Sequence, residues 1–263
     1  ADGSTIFAVY GYMNRGVNEG RVGAEVYYFD IEKNAVEEKA FIPSNKSFVI
    51  AEDVLGKMVY YSHDREMLYV LAGGTLYQTD LEKNEQEVLA KDLKEGQYAA
   101  SEDGHLLAYQ AEGTLENAQK IVVLNLKTGK ERFLQAKAEE SVRPLGFVNN
   151  DFIYGRQRAG DKGKTVAGED VLPMYELEIR DSKNEVVKTY SVEGTYISDI
   201  LVEDNLVTLN RVIKSGETYT GTAQDYISNN AQRAENNISL ESYTTDLKEK
   251  QMKLQYADGI SDQ

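Results

Sequence analysis

The chain has 263 residues, of which 41% are hydrophobic, and it carries a net charge of −15. This apolar content suffices for a folded core, and the acidity opposes binding to nucleic acid or to anionic membranes, because both are negatively charged. The sequence contains no cysteine, which excludes disulfides, thiol catalysis and cysteine-bound metals, and it has no apolar run long enough to span a membrane as a helix.

Five short stretches share one design, a polar turn beside an apolar strand. Their turns contain Asp-Gly, Ser-x-Asp, Asn-Asn or Asp-Asn, and these residue types tolerate the positive φ that tight hairpins require. We therefore predict a β-hairpin at each stretch. In chain order they are ADGSTIFAVY (1–10), SHDREMLYV (62–70), SEDGHLLAY (101–109), FVNNDFIYG (147–155) and LVEDNLVTLN (201–210).

A second hairpin pattern follows each of these stretches. It consists of a strand that ends in Asp or Asn, a Lys-rich turn and another strand. Successive end markers are about 45 to 65 residues apart, a spacing typical of β-propeller blades. Packing such sheets face to face buries surfaces that one sheet alone would expose. The end markers are Asp30, Asp80, Asn125, Asp181 and Asp246.

We therefore predict an all-β, single-domain β-propeller over residues 1–263, with about five four-stranded blades. The strands of a blade are lettered A to D from the inside outward. The first blade lacks its inner strand, because the chain starts at the turn that would follow strand A. Three arrangements stay open at this point: the blades close a ring, they form an arc of a larger propeller, or the chain is a fragment of a longer protein. The approximate blade bounds are 1–43, 44–92, 93–137, 138–193 and 194–257.

The stretch SEDGHLLAY resembles the Ser-Pro-Asp-Gly-x-x-[Ile/Leu]-Ala-[Tyr/Phe] repeat of TolB-type, WD40-like β-propellers. The match is partial in SHDREMLYV and weaker in the other stretches, and Glu102 and His63 stand where the family has proline. The resemblance implies that the repeat residues are structural. It also implies an extracytoplasmic bacterial protein of the cell envelope, held at the cell surface by an anchor outside this segment.

Catalytic patterns are missing from the sequence. It has no G-x-S-x-G motif, and its two histidines, His63 and His105, lie in or beside A–B turns. We therefore expect no cofactor, no metal and no catalytic residue. An enzymatic role stays open as an alternative, either as a propeller that gates a peptidase or as a glycosidase-like propeller. Candidate inner-strand acids for the latter are Glu52, Asp53 and Asp199.

Loop length distinguishes one face of the predicted propeller. The B–C connections of the first, fourth and fifth blades are long, over 12–23, 158–172 and 213–237. Because adjacent strands alternate in direction, all B–C connections lie on the same face. Long loops on a rigid scaffold often carry binding residues. The candidate partner-binding residues are Arg15, Arg21, Arg156, Arg158, Lys162, Lys164, Tyr219, Asp225, Tyr226, Asn229 and Asn230.

These features favour a binding or scaffolding protein whose partner is a protein or a glycan. In a closed five-bladed ring, the long connections of the fourth, fifth and first blades would converge, whereas in an arc the first would stand apart. The alternative interpretation is that these connections are mobile surface loops without a partner. The one helical turn that the sequence suggests lies within TAQDYISNNAQ (222–232).

Overall fold

The computed structural model describes residues 5–43, 58–83, 85–203, 205–228, 238–244 and 250–256. In this part of the chain nearly all regular structure is β-strand, and two single-turn 3₁₀ helices, His63–Arg65 and Ala159–Asp161, are the exceptions. None of its helices is long and apolar enough to span a membrane.

The first four sheets are antiparallel, and their hydrogen-bonded neighbours follow chain order. Strand A is missing from the first sheet among the described residues, as predicted. The strands are β1 (Thr5–Tyr12), β2 (Val22–Asp30) and β3 (Ala35–Pro43); β4 (Met58–Ser62), β5 (Met67–Ala72), β6 (Thr75–Asp80) and β7 (Glu85–Ala90); β8 (Tyr98–Ala100), β9 (Leu106–Glu112), β10 (Lys120–Asn125) and β11 (Glu131–Gln135); and β12 (Glu140–Val148), β13 (Asp151–Arg158), β16 (Glu176–Arg180) and β17 (Val186–Tyr190).

The fifth sheet departs from this plan. Its inner hairpin pairs with two short strands of the fifth-blade connection, β20 and β21. Strands β14 and β15 of the fourth-blade connection extend the sheet beyond β20, and the pairing of β14 with β20 is parallel. The predicted outer hairpin exists as β22 and β23, but it forms a two-stranded sheet of its own. The strands are β14 (Gly163–Thr165), β15 (Asp170–Val171), β18 (Thr195–Glu203), β19 (Leu206–Ser215), β20 (Thr218–Gly221), β21 (Asp225–Ser228), β22 (Ile238–Thr244) and β23 (Lys250–Tyr256).

Strand β21 lies where the sequence suggested a helical turn, so that prediction is wrong for residues 225–228. Tyr226 pairs with Thr208, and Ile227 pairs with Val207. Aromatic and β-branched residues fit a pleated, half-buried strand, and a strand partner is available here because β19 is ten residues long. Residues 229–232 of the same stretch lie outside the described residues.

Buried apolar clusters hold the sheets together in chain order. Alternate residues of a strand face opposite sides of its sheet. On β9, Leu107 and Tyr109 pack toward the second sheet, while Leu106 and Ala108 pack toward the fourth. Within the described residues, four such clusters join each sheet to the next, from the first to the fifth. This face-to-face packing of consecutive meanders confirms the predicted all-β propeller architecture.

The repeated turn residues close hairpins. Gly104 has a φ of +72° in the third A–B turn, and Ser101 Oγ donates a 2.7 Å hydrogen bond to Asp103. At the end of a C strand, the Asp80 carboxylate accepts the backbone N–H groups of residues 82 and 83 at 3.1 and 2.9 Å. Asp30, Asn125 and Asp181 accept equivalent bonds, and Asp246 lies outside the described residues. The end markers are therefore turn-capping side chains.

Candidate functional site

The end of the propeller that carries the B–C connections also carries the D–A connections, since strand direction alternates. We call this end the B–C face. Here the fourth- and fifth-blade connections join through β14 and β20, with Lys164 opposite Thr218. The backbone N–H of Lys164 donates to the carbonyl of Glu217 at 2.8 Å. We call the joined segments, residues 159–171 and 214–221, the platform.

Two tyrosines hold the platform against the fifth sheet. The Tyr219 hydroxyl donates to the Asp161 carbonyl at 2.6 Å, and the Tyr196 hydroxyl donates to the Asp161 carboxylate at 3.1 Å. The two rings meet edge to face at 5.3 Å. Burial, followed by the charges of its neighbours, raises the pKa of Tyr219 above its usual range. Tyr219 was predicted to contact a partner, but its side chain is buried and supports the platform.

The exposed side of the platform presents lysines and an apolar tip. Lys162 Nζ lies 3.0 Å from Glu116, and this hydrogen bond raises the pKa of Lys162. Lys164 Nζ lies 2.9 Å from Asp170. Both lysines are about half exposed, so neither pair costs much to open. Between them and the β15 strand, Val166 is 75% exposed.

Arg156 and Arg158 have different environments although they lie two residues apart on β13. Arg158 is exposed, and its guanidinium stacks 3.5 Å from the centre of the Tyr175 ring. Arg156 is buried, with Nε 2.9 Å from Glu178 and Nη2 2.9 Å from the Tyr154 hydroxyl. The structure therefore makes Arg156 part of the packing between the third and fourth sheets, which corrects its predicted place on a loop surface.

A pocket of about 690 Å³ opens between the second and third sheets on the same face. Its lining combines residues 90–94, from the end of β7 into the following D–A connection, with residues 111–116, from the end of β9 into the following B–C connection, over Gln97 and Gln110. Gln97 Nε2 donates to Gln110 Oε1 at 3.0 Å, and Gln110 Nε2 donates to the Val142 carbonyl at 2.8 Å. Glu116 also lines this pocket, so its ion pair with Lys162 connects pocket and platform.

Asp225 and Tyr226 lie on β21, away from the B–C face. They line a cleft of about 570 Å³ between the fourth and fifth sheets, which Tyr190 also lines. The Asp225 carboxylate accepts the Tyr190 hydroxyl at 2.9 Å and lies 3.2 Å from Arg211. The hydrogen bond from Tyr190 is the main cause of the lowered pKa of Asp225. The remaining candidates on this connection, Asn229 and Asn230, lie outside the described residues.

The first-blade candidates, Arg15 and Arg21, are exposed on the connection from β1 to β2. Arg21 donates to Asn18 Oδ1 at 3.0 Å and lies 4.7 Å from the centre of the Phe41 ring. These contacts stay within the first blade. The structure thus brings together the long connections of the fourth and fifth blades, and the described contacts do not join the first to them.

Both histidines lie beside carboxylates in A–B turns, away from the B–C face. His105 Nδ1 lies 2.6 Å from Asp103, and His63 Nδ1 lies 3.5 Å from Glu66, both in A–B turns. Asp199 is exposed on β18, while Glu52 and Asp53 lie outside the described residues. Among the residues that the structure describes, no group of three or more His, Asp or Glu side chains is arranged to hold a metal ion.

Neither the pocket nor the pairing of β14 with β20 was predicted from the sequence. The pocket lies between the connection from β7 to β8 and the connection from β9 to β10, and neither of these is long, so loop length does not predict it. The pairing has a weak signal in Gly216 and the run Thr218-Tyr219-Thr220, a turn residue followed by strand-forming residues. Such a pattern predicts a short strand but does not identify its partner.

No protein-family model and no curated protein matches this sequence. The β-propeller domain of the Trilobed protease from Pyrococcus furiosus, which has an open velcro topology, is 10% identical with a TM-score of 0.39, over 96% of this chain and 91% of that chain. Tricorn protease is 11% identical with a TM-score of 0.39, over 97% of this chain and 28% of that chain. Dipeptidyl peptidase 4 from Porphyromonas gingivalis is 10% identical with a TM-score of 0.25, over 93% of this chain and 48% of that chain. At these values, the likeness carries no argument about activity or partners.

Proposed function

We propose that this chain is a non-catalytic binding and scaffolding β-propeller that contacts a protein or glycan partner through its B–C face. One observation carries the proposal, the continuity of the pocket with the platform. Glu116 lines the pocket and its carboxylate lies 3.0 Å from Lys162 on the platform. A concave site and a projecting surface therefore form one contact area.

The construction of the platform supports this role. The parallel pair β14 and β20 and the hydrogen bond from Tyr219 to Asp161 fix two long connections before any partner arrives. A preformed surface loses less conformational entropy on binding than two free loops would. The half-exposed Lys162 and Lys164 can exchange their internal carboxylates for acidic or hydroxyl groups of a partner, and Val166 adds apolar contact.

The pocket fits the same role. Its volume of about 690 Å³ lies in the range of small-ligand sites, so it can accept one side chain or one sugar unit of a larger partner. Its exposed rim includes Lys91, Lys94 and Glu112, which supply hydrogen-bond donors and acceptors. We propose neither nucleic acid nor a membrane as the partner, because the chain carries a net charge of −15.

We also propose that the protein acts outside the cytoplasm of a bacterium, attached to the cell surface by an anchor outside this segment. The resemblance of SEDGHLLAY to the TolB-type repeat supports this location. A scaffold on the cell surface would meet envelope proteins and surface glycans, the two partner classes that suit the B–C face.

The test compares charge reversal on the two ends of the propeller. The double variant K162E/K164E alters the platform, and K127E/K183E makes the same change of charge at exposed C–D turns on the opposite face. Binding is measured on an array of bacterial surface glycans and, by biolayer interferometry, with solubilised envelope proteins. We expect the platform variant to lose at least about tenfold in affinity, while the control binds as the wild type does.

A third variant separates the pocket from the platform. Ala111 is exposed on the pocket lining, so Ala111→Trp fills the pocket and leaves both lysines in place. We expect this variant to weaken the same partners that the platform variant weakens. If both variants retain wild-type affinity for every glycan and protein bound by the wild type, the B–C face is not the binding surface.

A further inference from the structure

Arg143 lies near the pocket of the B–C face and has no binding partner for its guanidinium. It is half-buried on β12, the inner strand of the fourth sheet. Its Nε is buried and has no hydrogen-bond partner. Within the described part of the chain, no carboxylate, carbonyl, hydroxyl or aromatic ring pairs with the guanidinium. This is unexpected in a chain with 44 acidic residues against 29 lysines and arginines.

The other buried and half-buried arginines that the structure describes all have a hydrogen-bond or ion-pair partner. A guanidinium keeps its charge at any pH at which the protein is folded, so burial without a partner costs free energy that a bound anion recovers. The partners are the Tyr69 hydroxyl for Arg65, the Asp181 carbonyl for Arg132, Glu178 for Arg156 and Arg180, and Asp225 for Arg211.

Gly96 gives the Arg143 guanidinium its place beside the pocket. A Cβ atom on Gly96 would lie 3.2 Å from Arg143 Nη2 and 3.2 Å from Leu115 Cδ1, so a larger residue would displace one of them. Leu115 lines the pocket of about 690 Å³, and so do Lys94 and Gln97, on either side of Gly96 in the chain. The guanidinium therefore adjoins the pocket lining at the connection from β7 to β8.

Two lysines on the same connection add positive charge. Lys91 and Lys94 line the pocket and are exposed, and among the described residues neither forms an ion pair. Glu116, on the opposite connection, is already paired with a lysine of the platform. Asp92 and Glu112 also line the pocket, but both are exposed and can turn to solvent. An anion that reaches Arg143 thus meets further cations beside it.

We propose that Arg143 binds a carboxylate side chain of a polypeptide partner, while the rest of that residue lies in the pocket. The planar fork of a guanidinium matches the two oxygens of a carboxylate in a pair of parallel hydrogen bonds. Leu93 and Leu115 offer apolar contact to the methylene groups of such a side chain. The proposal rests on the proposed function, because it names the chemical group that the B–C face recognises.

A polypeptide suits this site better than an acidic sugar. Pockets that hold ring-shaped ligands are commonly lined by aromatic side chains, and the described lining of this pocket contains none. Two buried glutamines, Gln97 and Gln110, form its base. Their side-chain amides suit hydrogen bonding to backbone peptide groups, which are amides themselves.

Binding of two blocked tripeptides tests the proposal, one with a central glutamate and one with a central glutamine. The two side chains have nearly the same shape and differ in charge. NMR titration of the protein with ¹⁵N in its arginine side chains follows the Nε–H signal of Arg143. We expect the glutamate peptide to shift this signal and to bind at least about tenfold more tightly than the glutamine peptide, because hydrogen bonds between charged groups are the stronger ones.

Three variants locate the interaction. Arg143→Gln should remove the preference for glutamate. The control Arg15→Gln removes the same charge from an exposed arginine on the first-blade connection of the same face and should keep the preference. Ala111→Trp fills the pocket and should weaken binding of both peptides. Urea unfolding establishes that each variant is folded, and the comparison of the two peptides on the wild type needs no variant.

Several results would overturn the proposal. These are equal affinity of the wild type for the two peptides, binding of neither peptide, a glutamate preference that survives Arg143→Gln, and unchanged binding to Ala111→Trp. Binding of glucuronate without binding of the glutamate peptide would make the ligand an acidic sugar and would also overturn it. If K162E/K164E loses envelope partners while the wild type shows no glutamate preference, the proposed function stands and only the role of Arg143 is refuted.

Discussion

Replacing Glu178 with glutamine tests whether the buried charge network between the third and fourth sheets stabilises the fold. The Glu178 carboxylate accepts hydrogen bonds from the Tyr154 hydroxyl at 2.6 Å, from Arg156 at 2.9 Å and from Arg180 at 2.8 Å. Burial alone would raise the pKa of Glu178, but these hydrogen bonds outweigh it and lower the pKa. The group is therefore a charged carboxylate at neutral pH.

The cost of this substitution can be bounded from its surroundings. Glutamine has nearly the same shape, but it removes the negative charge and turns an amide NH₂ toward groups that are themselves donors. Removing one partner of a buried ion pair costs about 3–5 kcal/mol. Arg156 still has Glu176 at 3.3 Å, and Arg180 is partly exposed and can turn to solvent. We therefore expect the free energy of unfolding to fall by about 3 kcal/mol, the lower end of that range.

Urea unfolding followed by far-UV circular dichroism measures this change. The control is Glu185→Gln, which neutralises an exposed carboxylate in the C–D turn of the same sheet and should stay within about 0.5 kcal/mol of the wild type. If Glu178→Gln is no less stable than this control, the network does not stabilise the fold and Arg156 is buried for another reason.

Three further predictions concern the turns, the core and pH. Gly104→Ala places a side chain at a φ of +72° and should lower the free energy of unfolding by about 1–2 kcal/mol in urea; an unchanged midpoint would contradict the proposed turn. Gly155→Ala puts a Cβ into the Met174 side chain, so we expect a loss of about 1–3 kcal/mol that the second substitution Met174→Ala partly restores, and an absence of rescue would refute the packing argument. The pKa of Glu178 is lowered on folding, so the stability that its charged carboxylate contributes is fully present above its ordinary pKa of 4.5 and is lost as the pH falls through the folded value. When the free energy of unfolding is measured at decreasing pH, the wild type should therefore lose more stability than Glu178→Gln, and equal losses would contradict this reasoning.

The fold was predictable where its determinants are local. The turn at Asp103-Gly104 and the cap at Asp80 are formed by residues within a few positions of one another. A continuous apolar run such as Leu106 to Tyr109 then forms a strand that is buried on both faces. Each signal is complete within a single hairpin, so it can be found without knowing where the neighbouring sheets lie.

The fifth sheet was less predictable because its pairing joins distant segments. β14 and β20 belong to the connections of different blades, and about fifty residues of chain separate Lys164 from Thr218. Residues 213–228 are largely polar and belong to the long fifth-blade connection, so the sequence indicated a loop there. Its Thr, Tyr and Ile residues form strands because an unpaired edge of β19 is available to them.

The candidate site was predictable in position more than in detail. Loop length identified the connections that form the platform, and Lys162 and Lys164 are exposed there. It did not reveal that Arg156 is buried, because that depends on the register that sets β13 beside β16. The alternation Glu176-Leu-Glu178-Ile-Arg180 was the available signal, since it shows a strand with one charged face.

The order of the four apolar clusters along the chain also determines which sheets unfold first. Each cluster joins only neighbouring sheets, so the stability of a sheet depends on whether it has one neighbour or two. Among the described residues, the second, third and fourth sheets have a buried apolar cluster on both faces, while the first and fifth have one on a single face. Opening therefore begins at the end sheets and proceeds inward, and amide hydrogen exchange should be slowest on β9 and β10, at the centre of the series.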